Sequence, residues 1–243
     1  MRLALGSRKL VGRLMLALVG FVPLCPMAVH ASAIVVPQAP EPLELMERAL
    51  GRIADHGEPD LWTVASTDVE VVARAWALLR DGEEGQHFGS NLMWRIDSVC
   101  EYLPGAVERR DAHRLRAAAV VGLHLLVPLR GYFRAEGDIA LRRMRAELRE
   151  VVVYADAGEL PRAELARGRA NHLWRQLRDS VEERARSQRH RVARIGSYFD
   201  FCFHELAVAS NERDRVRLHH AARSALELTE LARTLLERPR TRH

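Results

Sequence analysis

The chain has 243 residues, of which 48% are hydrophobic, and it carries a formal net charge of +5. This length and hydrophobic content suffice for one sizeable core, so we expect a single globular domain. Lys9 is the only lysine, which excludes a P-loop lysine, a Schiff base and a pyridoxal-phosphate linkage from the rest of the chain.

The N-terminal segment is typical of a secretory signal peptide. Four basic residues precede the apolar run Leu14–Leu24, and the tripeptide ASA at 31–33 offers the small residues that signal peptidase requires. A second cleavage site is possible at 29–31. The alternatives, an uncleaved anchor and a lipoprotein modified at Cys25, fit the flanking prolines and leucine less well. We therefore predict that residues 1–33 are cleaved and that the processed protein is bacterial and periplasmic or secreted.

Removal of this segment also removes most of the positive charge. It contains four of the 37 basic residues and none of the 32 acidic ones, leaving 33 basic and 32 acidic residues. The high isoelectric point therefore does not indicate a nucleic-acid partner. An asymmetry remains, since residues 34–105 contain 5 Arg and 13 acidic residues, and 106–243 contain 28 and 19. Either two complementary halves pack together, or the C-terminal half faces an acidic partner or an anionic envelope polymer.

The sequence predicts a short leader followed by amphipathic helices in the first half of the processed chain. Residues 34–42 are punctuated by proline and are expected to be extended. Helical periodicity predicts a first helix over 43–55. A capping-box spacing at 67–70 predicts that the second helix begins there and ends near 79. A third helix is predicted over 87–103, ended by Pro104.

The fourth predicted helix, about 111–136, contains the most apolar stretch, residues 117–129. That stretch covers only about 20 Å, which is too short to span a bilayer. A short helix that is apolar on every side is typical of the centre of a bundle. Gly137 is predicted to end it, and Asp138 to begin a fifth helix that packs against it.

The periodicity continues to the C-terminus without an evident internal repeat. Further helices are predicted over 138–155, 161–188, 195–206 and 210–238, with a tail at 239–243. No run alternates as a strand would. The sequence therefore predicts an all-α, single-domain bundle over 43–238, in which about seven to eight antiparallel amphipathic helices surround the central apolar helix.

Two cysteines remain after signal cleavage, Cys100 and Cys202, each on a predicted inward helix face. In an oxidising compartment they are candidates for a disulfide. Such a bond would stabilise the fold by up to about 4–5 kcal/mol in the chain-entropy model. The alternative is that both remain free and pack as small hydrophobic side chains.

His124 interrupts the apolar core of the fourth helix. Pro128 lacks the amide that would bond the carbonyl of His124, so an imidazole and an unpaired carbonyl are predicted at one place. This arrangement is consistent with a polar pocket for a small ligand or a metal. It is also consistent with a structural histidine that bonds a neighbouring helix.

A second candidate site lies near the C-terminus. If the last two helices form a hairpin, they bring together four residues that could bind zinc or another divalent metal: Asp200, His204, His219 and His220. His219 and His220 are adjacent and do not easily point at one ion. A solvated polar face is the alternative.

No catalytic signature is present. The sequence contains no Cys-x-x-Cys, His-Glu-x-x-His, Gly-x-Ser-x-Gly or Gly-x-Gly-x-x-Gly motif. We therefore predict a non-enzymatic protein without a cofactor that binds or scaffolds in an envelope assembly. Its partner would be another envelope protein or a second copy, with no nucleic acid and no stable membrane insertion. The alternative is a periplasmic metal- or small-ligand-binding protein that uses the histidines above.

Overall fold

A computed structural model of the chain describes residues 39–57, 60–131, 133, 136–187 and 194–237. The predicted signal peptide, most of the leader and the tail lie outside these residues. The described residues form a short 3-10 helix at Glu83–His87, no strand, and eight α-helices: α1 Glu41–Asp55, α2 Asp60–Asp81, α3 Ser90–Glu108, α4 Ala112–Arg130, α5 Glu136–Asp156, α6 Leu160–Ser187, α7 Ile195–Asn211 and α8 Arg215–Glu237. The predicted all-α bundle is confirmed.

The eight helices pack as two groups of four. Helices α1 to α4 enclose one apolar cluster, and α5 to α8 enclose a second. In each group, consecutive helices are in contact, and the first helix also contacts the last. Helix α5 joins the groups, because it contacts α1 and α4 and places Ala146 and Val153 in the first cluster. The centre of the bundle is therefore shared between α4 and α5. None of the described helices is both long and apolar enough to cross a membrane.

The two groups share a repeated turn. Arg110, after α3, and Arg213, after α7, adopt left-handed backbone conformations with φ of 49° and 55°. Each is followed by an aspartate, Asp111 or Asp214, whose Oδ1 accepts a 3.0 Å hydrogen bond from the amide three residues later. These aspartates cap the next helix. A non-glycine residue in this region is uncommon, so its recurrence at the corresponding place indicates a common plan.

A buried tryptophan contact is repeated as well. Trp76 on α2 donates from Nε1 to Asp97 on α3 at 2.6 Å, and Trp174 on α6 donates to Asp200 on α7 at 2.9 Å. The arginine one turn after each tryptophan pairs with the same aspartate, at 3.4 and 2.8 Å. The interval from Asp97 to Asp200 equals that from Asp111 to Asp214. The four-helix plan therefore occurs twice. The expectation of no internal repeat is wrong, because several residue pairs at this same interval are identical in the sequence, among them Leu103 and Leu206, Arg114 and Arg217, and Leu115 and Leu218.

Helix α2 begins earlier than the sequence predicts. The capping-box interpretation of 67–70 is wrong, because α2 starts at Asp60 and these residues lie inside it. Leu61 and Ala65 are fully buried, so the apolar face that drives helix formation begins before Thr67. Asp68 instead pairs across to Arg52 on α1 at 2.5 Å, and only 4% of its side chain is exposed.

Other predicted boundaries are also wrong. Helix α7 continues to Asn211 and α8 begins only at Arg215, later than the predicted start at 210. Helix α3 continues through Pro104 to Glu108, because the last turn buries Leu103 and Ala106 completely, and this burial outweighs one missing amide hydrogen bond. Helix α4 ends at Arg130 and α5 begins at Glu136, which places Gly137 inside the first turn of α5.

The predicted disulfide is not formed, and both cysteines are free. Cys100 packs against the first apolar cluster and Cys202 lies in the second, so the two-group packing separates them. Burial raises the pKa of the Cys100 thiol to about 12 and also raises the pKa of Cys202. Both thiols are therefore protonated and unreactive at neutral pH.

Helices α1 and α5, the first helices of the two groups, each end in an aspartate that pairs with an arginine. Arg149 on α5 donates two hydrogen bonds to Asp55, at 2.9 and 2.8 Å. Arg116 on α4 bonds Asp156 at 2.7 Å, and His219 on α8 approaches its other oxygen at 2.5 Å. Burial alone would raise the pKa of each carboxyl, but these hydrogen bonds and charges outweigh it and lower the pKa. The two ion pairs tie the groups together.

Replacing Asp156 with Asn should reduce the acid sensitivity of the fold. A carboxyl whose pKa is lower in the folded state contributes stability above its unfolded value of 3.8, and this stability is lost as the pH falls through the folded pKa. The wild-type melting temperature should therefore fall as the pH drops toward and below 3.8, and that of Asp156→Asn should fall less. Thermal melts across this range test it, with Asp179→Asn on the exposed face of α6 as the control. If the melting temperatures of wild type and Asp156→Asn fell equally at low pH, Asp156 would not be a source of the acid sensitivity.

Candidate metal site

Three potential metal ligands meet where α4 and α5 pack together. His124 lies on α4, and Glu147 and Glu150 lie one turn apart on the facing side of α5. A nitrogen of His124 and one oxygen of each carboxylate all lie within 4.8 Å of one another. Among the described residues, this is the only group of three or more histidine, cysteine or acidic side chains with such spacing.

The side chains at this site are partly withdrawn from water. Glu147 is the most buried, with 11% of its side chain exposed, compared with 19% for Glu150 and 29% for His124. The imidazole Nε2 lies 3.2 Å from Glu150 Oε2. His124 is therefore not enclosed in the apolar core as its neighbours suggest, but lies at the edge of the core beside two acidic groups.

Arg169 on α6 currently balances the two carboxylates. It donates from Nε to Glu147 Oε2 and from Nη2 to Glu150 Oε2, both at 2.8 Å. Burial raises the pKa of Glu147 despite His124 and Arg169. Burial would also raise that of Glu150, but its hydrogen bonds to His124 and Arg169 outweigh burial and lower the pKa. The two carboxylates thus differ in how readily they lose a proton.

Two cavities open onto these residues. One, of about 310 Å³, lies between α4 and α5 and is lined by His124, Glu147, Glu150 and Tyr154. The other, of about 820 Å³, lies toward α6 and includes His124 and Pro128. The prediction of a polar pocket near His124 and Pro128 therefore coincides with two cavities, and whether a ligand occupies them stays a prediction.

The C-terminal candidate residues are not brought together. Asp200 accepts from Trp174 and pairs with Arg178, so its oxygens serve the repeated tryptophan contact. His219 is paired with Asp156. His204 on α7 and His220 on α8 are exposed. Since the described residues hold no three-ligand group that includes any of these four, the structure gives no support to the C-terminal metal site.

The arrangement of His124, Glu147 and Glu150 can bind a cation. One imidazole nitrogen and two carboxylate oxygens form a ligand set that suits zinc or another divalent first-row ion. Zinc bonds such ligands at about 2.0–2.2 Å, so small rotations of the two flexible glutamate side chains would close the set. Metal binding requires deprotonated ligands, and burial raises the pKa of Glu147, so metal binding should weaken as the pH falls.

Sequence reasoning found His124 but missed Glu147, Glu150 and Arg169. The signal was available in part, because two glutamates three positions apart on the fifth predicted helix share one face. What the sequence lacked was the packing of that face against α4.

Comparison with known proteins identifies no relative. No protein-family model, no curated protein sequence and no solved structure matches the chain.

Proposed function

We propose that this protein is an exported, non-enzymatic binding protein of a bacterial envelope, and that its ligand is a divalent metal ion bound by His124, Glu147 and Glu150. The observation that carries the proposal is the convergence of these three ligand atoms within 4.8 Å beside an accessible cavity. The export signal predicted at residues 1–33 supports the location. The convergence of the three ligand atoms is our reason for preferring the metal-binding interpretation to the scaffold interpretation.

Zinc is the ion that the ligand set favours most. Imidazole nitrogen and carboxylate oxygen are both common zinc ligands, and three protein ligands leave one tetrahedral position for water or a small ligand. That position would face the cavity of about 310 Å³. Calorimetric titration of chelator-treated protein with Zn²⁺ tests the proposal. We expect one ion per chain, and the absence of binding heat from Zn²⁺, Mn²⁺ and Ni²⁺ would refute it.

Replacing Arg169 with Gln should tighten metal binding. In the metal-free protein the guanidinium bonds the same two carboxylates that a metal requires, so an incoming ion has to displace it. Hydrogen bonds to charged groups contribute about 1.5–3 kcal/mol, so removing this competition should lower the zinc dissociation constant by about tenfold or more. The measurement is a competition titration against a chromogenic chelator.

Arg175→Gln, on the exposed face of the same helix, is the control for the loss of one positive charge. It should leave the dissociation constant nearly unchanged. If Arg169→Gln weakened zinc binding, the arginine would be helping to position the carboxylates for the metal, and the proposed competition would be wrong.

The contact function predicted from the sequence is a second candidate. An exposed apolar strip on α3 and α4 supports it, since the exposed fractions of Trp94, Tyr102 and Val121 are 68%, 41% and 44%. Exposed aromatic side chains are enriched where proteins bind one another. The strip adjoins the metal site through Val121, which lines the cavity beside His124.

A further inference from the structure

A second polar centre lies on a different face of α5 from the metal site. Arg142, Arg145 and Arg149 recur at helical spacing along this face, and Arg130 joins them from α4. These four side chains are largely withdrawn from water, with exposed fractions of 9%, 19%, 11% and 3% respectively. Four largely buried arginines side by side require compensating negative charge.

The protein supplies much of that charge itself. The four arginines line a cavity of about 470 Å³ between α1, α4, α5 and α8, whose walls include seven arginines and four carboxylates. The wall therefore carries a formal excess of +3, but Asp68, which lies outside the wall, balances one of the seven arginines, Arg52. Arg145 lies 3.0 Å from the carboxylate of Glu230. Burial lowers the pKa of Arg145, and the positive charges of Arg149 and Arg142 lower it further.

Two guanidinium nitrogens in the wall lack a hydrogen-bond acceptor among the described residues. They are Nη1 of Arg130 and Nε of Arg145, and both atoms are inaccessible to bulk water. The nearest carboxylate oxygen to Arg130 Nη1 is that of Glu44 at 3.5 Å, which is too long for a strong bond. Buried donors are normally paired, so an unpaired donor on each of two neighbouring arginines points to a missing acceptor.

The backbone of α1, on the opposite wall, lies close to the guanidinium of Arg149. A Cβ built on Gly51 of α1 would lie 3.2 Å from Arg149 Nη2, so the glycine allows the arginine to lie directly against the α1 backbone. Arg149 is held there by two hydrogen bonds to Asp55. The wall is thus pre-organised rather than dependent on mobile surface side chains.

We propose that this cavity binds a phosphate group. Arginine forks match the paired oxygens of phosphate, and small rotations of Arg130 and Arg145 would turn their unpaired nitrogens toward a phosphate in the cavity. An anion of charge −2 would neutralise most of the excess charge of the wall. The same chemistry is found in a free phosphorylated molecule and in a phospholipid headgroup, and the test separates these sources. The proposal is independent of the metal site, which uses other residues.

The test compares phosphate binding by the wild-type chain and Arg145→Gln at fixed ionic strength. Inorganic phosphate followed by calorimetry probes a free ligand, and phosphatidylglycerol vesicles followed by flotation probe a membrane source. We expect binding in one of the two assays, weakened by about tenfold or more in Arg145→Gln because charge-assisted hydrogen bonds are lost. The assay that shows the loss identifies the source.

Two further variants make the result decisive. Arg145→Lys keeps the charge but loses the fork, so it should bind with intermediate affinity, and its melting temperature shows that the fold is intact. Arg175→Gln removes a positive charge outside the cavity and should bind as wild type. No binding in either assay, or equal binding by wild type and Arg145→Gln, would overturn the proposal.

Discussion

Replacing Glu47 with Ala should lower the free energy of unfolding by about 3–5 kcal/mol in phosphate-free buffer. Glu47 on α1 accepts hydrogen bonds from Arg130 on α4, at 3.0 Å, and from Arg142 on α5. The side chains of these arginines are only 3% and 9% exposed. The variant removes the carboxylate they share, and a buried charge that loses its partner costs far more than the pair itself contributes.

Denaturant unfolding measures this loss, and Glu70→Ala is the matched control. Glu70 is also a helical glutamate that pairs with an arginine, Arg74, but 68% and 72% of the two side chains are exposed. An exposed pair of this kind contributes about 0.3–0.5 kcal/mol, so the control should unfold almost as wild type. Similar losses in the two variants would mean that Glu47 is not the anchor of the buried arginines.

Replacing His124 with Gln should weaken zinc binding by about 100-fold or more. The variant removes the only nitrogen ligand of the proposed set while leaving both carboxylates and Arg169 in place, and changes even beyond the direct ligands commonly cost 10–100-fold in affinity. The imidazole is 29% exposed and lies at the edge of the core, so the substitution should leave the melting temperature of the metal-free protein nearly unchanged. Calorimetric titration with Zn²⁺ measures the effect.

His204→Gln is the control that distinguishes the two metal sites predicted from the sequence. His204 is exposed on α7 and belongs to no three-ligand group among the described residues. Its replacement should not change the zinc dissociation constant. If His204→Gln lost binding and His124→Gln kept it, the C-terminal cluster would be the metal site after all.

The periodicity of the sequence was sufficient to predict the helices and most of their buried faces. Helical spacing predicts one apolar stripe on the fifth helix, and all six of its residues are buried in α5: Leu141, Met144, Leu148, Val151, Val152 and Ala155. This succeeds because amphipathic spacing reflects burial directly. Boundaries were less reliable, as at Pro104 and Thr67, because packing of the last or first turn outweighs a local stop or start signal.

The candidate site could be predicted only in part. An imidazole beside a proline inside an apolar helix identified His124 as unusual, but its partners lie on α5 and α6, and nothing local indicates which face of α5 meets α4. The same reasoning explains why the disulfide prediction failed. Inward-facing positions were predicted correctly for Cys100 and Cys202, yet the division into two four-helix groups, which decides whether they meet, is a property of the whole fold.

The repeat shows what a local analysis overlooks. Asp97 and Asp200 correspond in the two groups through their shared contacts with Trp76 and Trp174. The residues next to these aspartates differ, but the identical dipeptides Arg110-Asp111 and Arg213-Asp214 lie at the same interval, and this signal was present in the sequence. Knowledge of the repeat also removes Asp200 from the predicted metal ligands, since it performs the same structural role as Asp97.

The most direct test of the central claim is the native mass of the protein, exported through its own N-terminal segment and purified without chelators. If His124, Glu147 and Glu150 bind a metal, we expect one species heavier than the processed polypeptide by a single divalent metal ion, and loss of that extra mass in His124→Gln. A mass equal to the polypeptide alone, both as purified and after incubation with Zn²⁺, would contradict this claim.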